Sequence, residues 1–594
     1  MCGIAGIVHS RETVNEIDLR RMAESIRHRG PDDQGFFVST QIGLAHNRLA
    51  ILDLSSAGHQ PMRAGNIIIV YNGEIYNYLE LKDELVNRHN YQFSSETDTE
   101  VILAAYKTWG IECVQRLRGM WAFALWDEEL KQLLLSRDRF GIKPLYYVFD
   151  GIKLIFSSEI KALLANGISP VPDESILADY LVIGYLDHRP ETFFKNIFQV
   201  MPGYNAVYNV ATNRLQLHAY YDLESAINSK TSTFDQFHSA LQEAISIHLR
   251  SDVPVGACLS GGLDSSTIAA IAGPLFQQSC GSPMTAITAC SNDERDESAY
   301  AAQVVDAVKL DWIRTTPSCD DFKQLLTRVI WHQEQPTGGP SVVMQYMVMK
   351  AARDHGIKVM LDGQGGDEIL LGYERYYSSA FGEWIKNGDL LRFSREFYLA
   401  GLHSKLSWLD NLCYWIYFQS FSARRQRLRS KSRGLKPELI AMAEQTLSSS
   451  YSIRNSIRSL QIQELKYYQL PHLLRFEDRS SMAHSIEARV PLIDHIVVEQ
   501  AVALSLEWKI RNGYTKYALR CVAEKLLPSS IAWRKNKIGF EAPVNKWTED
   551  SLEWMKQYIA ESELIKSMYS ARNSLPPYSY RLFELAVWEE VFLQ

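Results

Sequence analysis

Along the first 185 residues apolar positions come in short, strand-sized runs, among them Ile67-Ile68-Ile69-Val70-Tyr71, Trp121-Ala122-Phe123-Ala124-Leu125-Trp126 and Leu133-Leu134-Leu135. Such runs, bounded by polar turn residues, predict strands. Asp127-Glu128-Glu129 separates two of them, and Asp150-Gly151 predicts a tight hairpin. Helices interrupt the strands: Leu19, Met22, Ala23 and Ile26 keep helical spacing, as do Val101, Ala104 and Ala105 after a start rich in Thr and Asp, where capping is favoured. This half predicts an α+β sandwich of sheets and helices.

From about residue 235 the pattern becomes strand, glycine-rich turn and helix in alternation. Residues 253–260 read as a strand, Gly261-Gly262 as a turn, and a helix starts near Ser265; residues 285–289 form a further strand. Lys358-Val359-Met360-Leu361 predicts another, running into Asp362-Gly363-Gln364-Gly365-Gly366-Asp367. This alternation predicts an α/β doubly wound parallel sheet, whose ligands bind where the loops leave the strand ends. Beyond about 380 the chain reads as mainly helical, and the stretch from roughly 560, with Ser574-Leu575-Pro576-Pro577, as a tail that wraps back.

Length and composition change this picture little. At 594 residues the chain needs more than one core, and 46% hydrophobic with 22% charged residues describes packed domains. A net charge of −7 gives no general footprint for nucleic acid or anionic membrane, and the basic cluster Arg424, Arg425, Arg427, Arg429, Lys431 and Arg433 reads as a solvated face. No apolar run approaches bilayer length and the start lacks a basic leader, so a cytoplasmic protein is expected. Eight cysteines without a CxxC pair predict reduced thiols, with Cys113, Cys258, Cys280, Cys290, Cys319, Cys413 and Cys521 as small core residues.

Cys2 is the residue that candidate chemistry starts from. Once Met1 is removed, its α-amino group sits beside the thiol, and an amine with a pKa of about 7.7–8.0 can serve as general base. Alone, Cys2 reads as a buried cysteine, and Asn72-Gly73 as a hairpin turn. In the second half, Leu259-Ser260-Gly261-Gly262-Leu263-Asp264-Ser265-Ser266 ends a strand in a loop whose backbone N–H groups, hydroxyls and helix N-terminus can curl round an anion. No GxxxxGK[ST] loop occurs, which disfavours kinases and ATPases of that kind.

Taken together, Cys2-Gly3-Ile4-Ala5-Gly6, Arg29-Gly30-Pro31-Asp32, Arg48-Leu49-Ala50-Ile51-Leu52-Asp53-Leu54, Tyr71-Asn72-Gly73-Glu74-Ile75-Tyr76-Asn77, Asp98 and Arg137-Asp138-Arg139-Phe140-Gly141-Ile142-Lys143-Pro144-Leu145-Tyr146 resemble the class II glutamine amidotransferase domain of asparagine synthetases. SGGxDSS resembles the pyrophosphate loop of ATP pyrophosphatases, and residues 478–492 resemble the synthetase domain of the same family. The resemblance runs from Cys2 to about Trp547. It implies an αββα N-terminal nucleophile-type sandwich over residues 2–185, a connecting segment 186–234, an ATP-pyrophosphatase domain over 235–560 with a helical C-terminal part, and a tail 561–594.

By this resemblance, glutamine is bound by Arg48, Ile51, Asn72, Gly73, Glu74 and Asp98: Arg48 on its α-carboxylate, Glu74 and Asp98 on its α-ammonium, and Asn72 with the Gly73 N–H as the oxyanion hole. ATP is bordered by Leu259, Ser260, Gly261, Gly262, Asp264, Ser265, Ser266, Thr288, Asp362 and Gly363, with Asp264 and Asp367 on Mg2+ and Lys516 on developing phosphate charge. The expected reaction is glutamine hydrolysis at Cys2, adenylation of a carboxylate to release pyrophosphate, and attack by sheltered ammonia to give an amide. Aspartate is the leading acceptor. One departure bears on it: Gln364 stands where many members carry a glutamate, so any base role passes to the ammonia or to a neighbour, with Glu368 (the acceptor-side candidate) and Glu374 close by. A uronic acid of a surface glycan is the alternative acceptor, and a silent glutamine- or ATP-binding relative a further one. Partners are expected to be small molecules, without nucleic acid or membrane, and a homodimer follows by family analogy alone.

Overall fold

The computed structural model describes residues 2–594 apart from 229, 292, 294–295, 405–406, 453–455, 536–540 and 571–578. Its first half is built from β1 (Gly3–His9), β2 (Asp33–Val38), β3 (Ile42–Arg48), β4 (Met62–Ala64), β5 (Ile67–Ile75), β6 (Gly119–Asp127), β7 (Gln132–Arg137), β8 (Tyr146–Phe149), β9 (Lys153–Ser157), β10 (Phe198–Gln199), β11 (Tyr204–Asn209) and β12 (Arg214–Ala219). These form two six-stranded sheets of order β10-β8-β9-β1-β3-β2 and β12-β11-β7-β6-β5-β4, every pairing antiparallel.

The unbroken apolar run of β5 follows from burial on both faces. Ile68 and Val70 meet Ile4, Val8 and Leu44 from the other sheet, while Ile67, Ile69 and Tyr71 pack on Val101, Ile102 and Ala105 of the helix Asp98–Trp109. A strand covered twice has no polar face to alternate with. On the far side Ala5 and Ile7 of β1 face Leu19, Met22 and Ile26. Four layers result: helix, sheet, sheet, helix.

Residues 186–234, expected as a connecting segment, carry β10 to β12, with β10 extending one sheet at β8 and β11 the other at β7. The expected tail contains the helix Tyr580–Phe592, whose Phe583 and Trp588 are fully buried against the helices Cys319–Gln333 and Val544–Glu561. Ser574-Leu575-Pro576-Pro577 lie outside the described residues.

The second half holds β13 (Val255–Cys258), β14 (Thr285–Ala289), β15 (Asp311–Thr315), β16 (Val359–Leu361) and β17 (Glu487–Arg489), all parallel in the order β15-β14-β13-β16-β17. Val255 and Ala257 pack against Leu241, Ile245 and Ile268 on one face; Ile287, Met360 and Ala488 pack against Val348 and Met349 on the other. From β13 the chain winds outward through β14 and β15, then returns to start β16 on the opposite side. That reversal opens a crevice at the carboxyl ends of β13 and β16, where the two glycine-rich loops lie.

One core joins the halves, since Leu49, Ile51, Tyr76, Met120, Phe140 and Ile142 cluster with Leu241 and Ile245. Beside it runs a buried ion network: Arg29 contacts Glu159 at 2.7 Å and Asp478 at 2.9 Å, and Arg479 contacts Glu159 at 2.8 Å and Glu334 at 2.7 Å. Buried charges persist only when paired in this way. The eight cysteines are all free thiols. Cys280 and Cys413 are exposed, contrary to the core reading, because Cys280 closes the helix Leu263–Cys280 and Cys413 is on an outward face of the helix Trp408–Gln419.

Candidate active site

Cys2 immediately precedes β1, and its register beside β3 brings it next to the Arg48 end of that strand. Its backbone N–H donates to Asn72 Oδ1 at 2.9 Å. Asn72 is fully buried within β5, not in a turn, and its Nδ2 has no hydrogen-bond partner. A buried amide donor left unmet costs about 1–3 kcal/mol, so a position that keeps one invites an acceptor from outside the chain. Gly73 is required for packing: a Cβ there would lie 2.1 Å from the Met120 carbonyl on β6.

Burial raises the Cys2 thiol above its ordinary value, against the pull of the nearby amino terminus and Arg48. Arg48 donates to the Ser55 carbonyl at 2.8 Å and to that of Asp53, so it also orders the loop beyond β3. Ile51 is buried and its carbonyl accepts from the Asp252 N–H at 3.1 Å. Asp98, in the first turn of its helix, accepts from the Tyr71 hydroxyl and the Ile75 N–H, each at 2.9 Å. Burial lifts its carboxyl to about 6. Glu74 is raised by burial and by Asp98 beside it; its Oε1 has no hydrogen-bond partner, while Oε2 lies 3.5 Å from Arg489. Two clustered carboxylates with an unmet oxygen can hold an ammonium group.

At the crevice of the parallel sheet, Gly261 takes φ +77°, and a Cβ there would strike the Ala301 N at 2.7 Å. Ser260 Oγ accepts from the Gly262 N–H at 3.2 Å and lies 3.1 Å from Ser265 Oγ. The 18-residue helix beginning at Leu263 has no side-chain cap, and Ser266 Oγ is buried without a hydrogen-bond partner. The loop is thus held open around free donors at a positive helix end, an arrangement suited to phosphate.

The second loop presses on the first: a Cβ on Gly363 would meet Ser265 N at 2.8 Å, and one on Gly366 would meet Asp264 Oδ1 at 2.4 Å. Lys516 Nζ sits 2.5 Å from Asp264 Oδ2 and 2.7 Å from Asp367 Oδ1. Burial would lower this ammonium, but the two carboxylates outweigh it and raise the pKa. Asp264 Oδ1 is buried without a hydrogen-bond partner. Asp362 is buried, accepts from the Gln364 N–H at 2.9 Å, and donates its own N–H to the Arg489 carbonyl at 2.8 Å. Glu368 is buried against the Tyr373 hydroxyl at 2.6 Å and pushed up to about 7 by burial and then by Asp367.

Gln364 is half-buried beside these groups. Glu374 immediately precedes the helix Arg375–Lys386, at its N-cap. Thr288 faces inward: its hydroxyl donates to the Leu259 carbonyl at 2.7 Å and accepts from Trp312 Nε1 at 2.8 Å. It ties β14 to the loop that Leu259 begins.

The family model for the glutamine amidotransferase domain matches residues 1–221, and that for asparagine synthase matches residues 236–578. This chain belongs to the asparagine synthase family. As a member it is a carbon–nitrogen ligase of the glutamine-hydrolysing kind, and its second half uses ATP. Asparagine synthetase [glutamine-hydrolyzing] 1 of Bacillus subtilis is 30% identical over 585 residues, 95% of this chain and 90% of its own length. Asparagine synthetase [glutamine-hydrolyzing] 3 of the same organism is 30% identical over 603 residues, covering 97% and 92%. A relative of another name, amidase chry2 of Gibberella zeae, is 32% identical over 421 residues, 64% of this chain and 61% of its own.

Sequence reasoning gave Arg489 no role. Its guanidinium contacts Glu487 at 2.6 Å and Glu74 at 3.5 Å and donates to the His248 and Arg250 carbonyls, so β17 reaches into the wall of the glutamine-side site. The segment 478–492 carried the family match, but nothing in its local pattern pointed to a partner more than 400 positions away.

Proposed function

We propose that the protein is a glutamine-dependent asparagine synthetase with Mg2+-ATP as co-substrate. The observation that carries the glutaminase half is the unmet Nδ2 of Asn72 beside Cys2. Arg48 clamps the α-carboxylate of glutamine, and Glu74 with Asp98 takes the α-ammonium. With Met1 removed, the Cys2 amine takes the thiol proton and the thiolate attacks the side-chain amide. Asn72 Nδ2 and the Gly73 N–H receive the oxyanion, the Cys2 ammonium returns its proton to the departing nitrogen so that ammonia leaves, and water, giving a proton to the freed amine, releases glutamate from the thioester.

In the crevice the loop 260–266 receives the ATP phosphates, and Thr288 acts by holding Leu259 in place. A magnesium ion fits the donors present: Asp264 Oδ1 is an unmet hard oxygen and Asp367 supplies a second carboxylate. Among the described residues no group of three or more acidic, His or Cys side chains stands ready for a metal, so the remaining ligands would be phosphate oxygens and water. Bound there, the ion would screen phosphate charge. Lys516 neutralises charge developing on the phosphates as pyrophosphate leaves. Ammonia reaches the acyl-adenylate through a sheltered passage between the halves, which share one core. Shelter there keeps it from protonation.

Aspartate as acceptor is supported by relatives named asparagine synthetase that align over nearly the whole chain. Gln364 favours a second reading, in which the same machinery amidates another acid, such as a uronic acid. ATP–pyrophosphate exchange with aspartate and with uronic acids separates the two: exchange stimulated by aspartate alone supports the first, and by a uronic acid alone the second.

A further inference from the structure

The net charge of −7 conceals a stretch of opposite sign: residues 390–436 hold ten Lys and Arg against two acidic residues. The same stretch holds nine of the 21 exposed large hydrophobic residues among the described residues. Leu391 is 87% exposed and Leu409 74%. Leu391, Tyr398 and Leu402 share one face of the helix Leu390–His403, as Leu409, Leu412 and Ile416 do on the helix Trp408–Gln419. The Tyr398 and Trp408 rings stack at 5.6 Å, and Trp408 Nε1 donates to the Tyr398 carbonyl, which joins the two helices.

The basic helix Phe421–Lys431 follows directly and buries none of its residues. Arg424 lies over Phe418 at 5.6 Å and Arg427 over Tyr417 at 5.1 Å, so cations and aromatics form one surface. Arg425 and Arg429 are engaged by Glu444, whereas Arg427, Lys431 and Arg433 are exposed. Exposed leucines beside an arginine-rich helix, with Trp and Tyr between them, match a bilayer: hydrocarbon for the leucines, the interfacial layer for the aromatics, anionic headgroups for the cations.

We infer that this surface docks the protein peripherally on an anionic lipid membrane. No helix among the described residues is long and apolar enough to cross one. A second copy of the chain would set the same cations against themselves across a two-fold axis. A nucleic acid would satisfy the arginines but offers nothing aliphatic to Leu391 and Leu409.

Flotation of the full chain tests this with vesicles of three parts phosphatidylcholine to one part phosphatidylglycerol, against phosphatidylcholine alone, at about 50 mM salt. The protein should float with the anionic vesicles only. Arg427→Gln, Lys431→Gln and Arg433→Gln together should lower partitioning about 100-fold, and Leu391→Ser with Leu409→Ser at least about tenfold. Both variants should keep their glutaminase activity in solution, which shows that they fold. Absence of flotation overturns the proposal, as does flotation indifferent to the leucine pair, which would be simple electrostatic adsorption. A dimer dispersed by the same substitutions in a protein that ignores vesicles assigns the surface to a second copy instead.

Discussion

Asn72→Ala removes two contacts of different kinds from the glutamine site. The first is the acceptor for the Cys2 N–H at 2.9 Å, which positions the nucleophile; an ordinary hydrogen bond contributes about 0.5–1.5 kcal/mol. The second is the buried Nδ2, which meets no acceptor within the chain and is available to the developing oxyanion. Loss of one preorganised oxyanion donor costs about 2.7–4 kcal/mol. Together these place the barrier about 3–5 kcal/mol higher, a fall of roughly two to four decades in the kcat for glutamate release. The variant should keep ATP- and acceptor-dependent pyrophosphate release when free ammonium replaces glutamine, because Asn72 lies in the first half and the pyrophosphate loop in the second. Glutamate release by coupled dehydrogenase assay, run beside the ammonium-driven reaction, reads both numbers. A fall of less than about tenfold in glutaminase kcat, or equal loss in the two reactions, would refute the oxyanion assignment.

Other perturbations separate the two sites further. With the Asp98 carboxyl raised to about 6 by burial and Glu74 raised beside it, acid removes charge from the α-ammonium pocket; kcat/KM for glutamine should fall as pH drops through about 6, and Asp98→Asn, which also removes a charge that raises Glu74, should shift that limb to lower pH. Gly366→Ala puts a Cβ 2.4 Å from Asp264 Oδ1, so pyrophosphate release should collapse while glutaminase kcat stays within a few-fold, measured in parallel. Arg489→Met leaves Glu487 and Glu74 buried without their cation, which should cost about 3–5 kcal/mol in a denaturant titration; an unchanged midpoint would show that the network is not structural.

What could be read from the sequence was whatever local chemistry fixes. The strands 67–71, 121–126 and 133–135 and the helices at 19–26 and 101–105 appear where apolar spacing put them, and the hairpin at Asp150-Gly151 joins β8 to β9. Gly261 and Gly262 marked the loop after β13, where Gly261 at positive φ passes close to Ala301. β10 was not legible, because two residues carry no periodicity, and β12 was not, because most of its side chains are exposed. The ion network escaped for another reason: Arg29 and Asp478, or Arg489 and Glu74, are paired only by the meeting of the two halves. Exposure is likewise a tertiary fact, so Cys280 and Cys413 looked like the other thiols, and a solvated basic face could not be told from one flanked by exposed leucines.

In the proposed reaction the glutamine amide nitrogen ends in the acceptor at the expense of one ATP. Purified protein given amide-labelled glutamine, ATP, Mg2+ and aspartate should release glutamate, pyrophosphate and asparagine in equal amounts, with the label in the new amide even when unlabelled ammonium is present. Glutamate formed without aspartate-dependent pyrophosphate or labelled asparagine would contradict it.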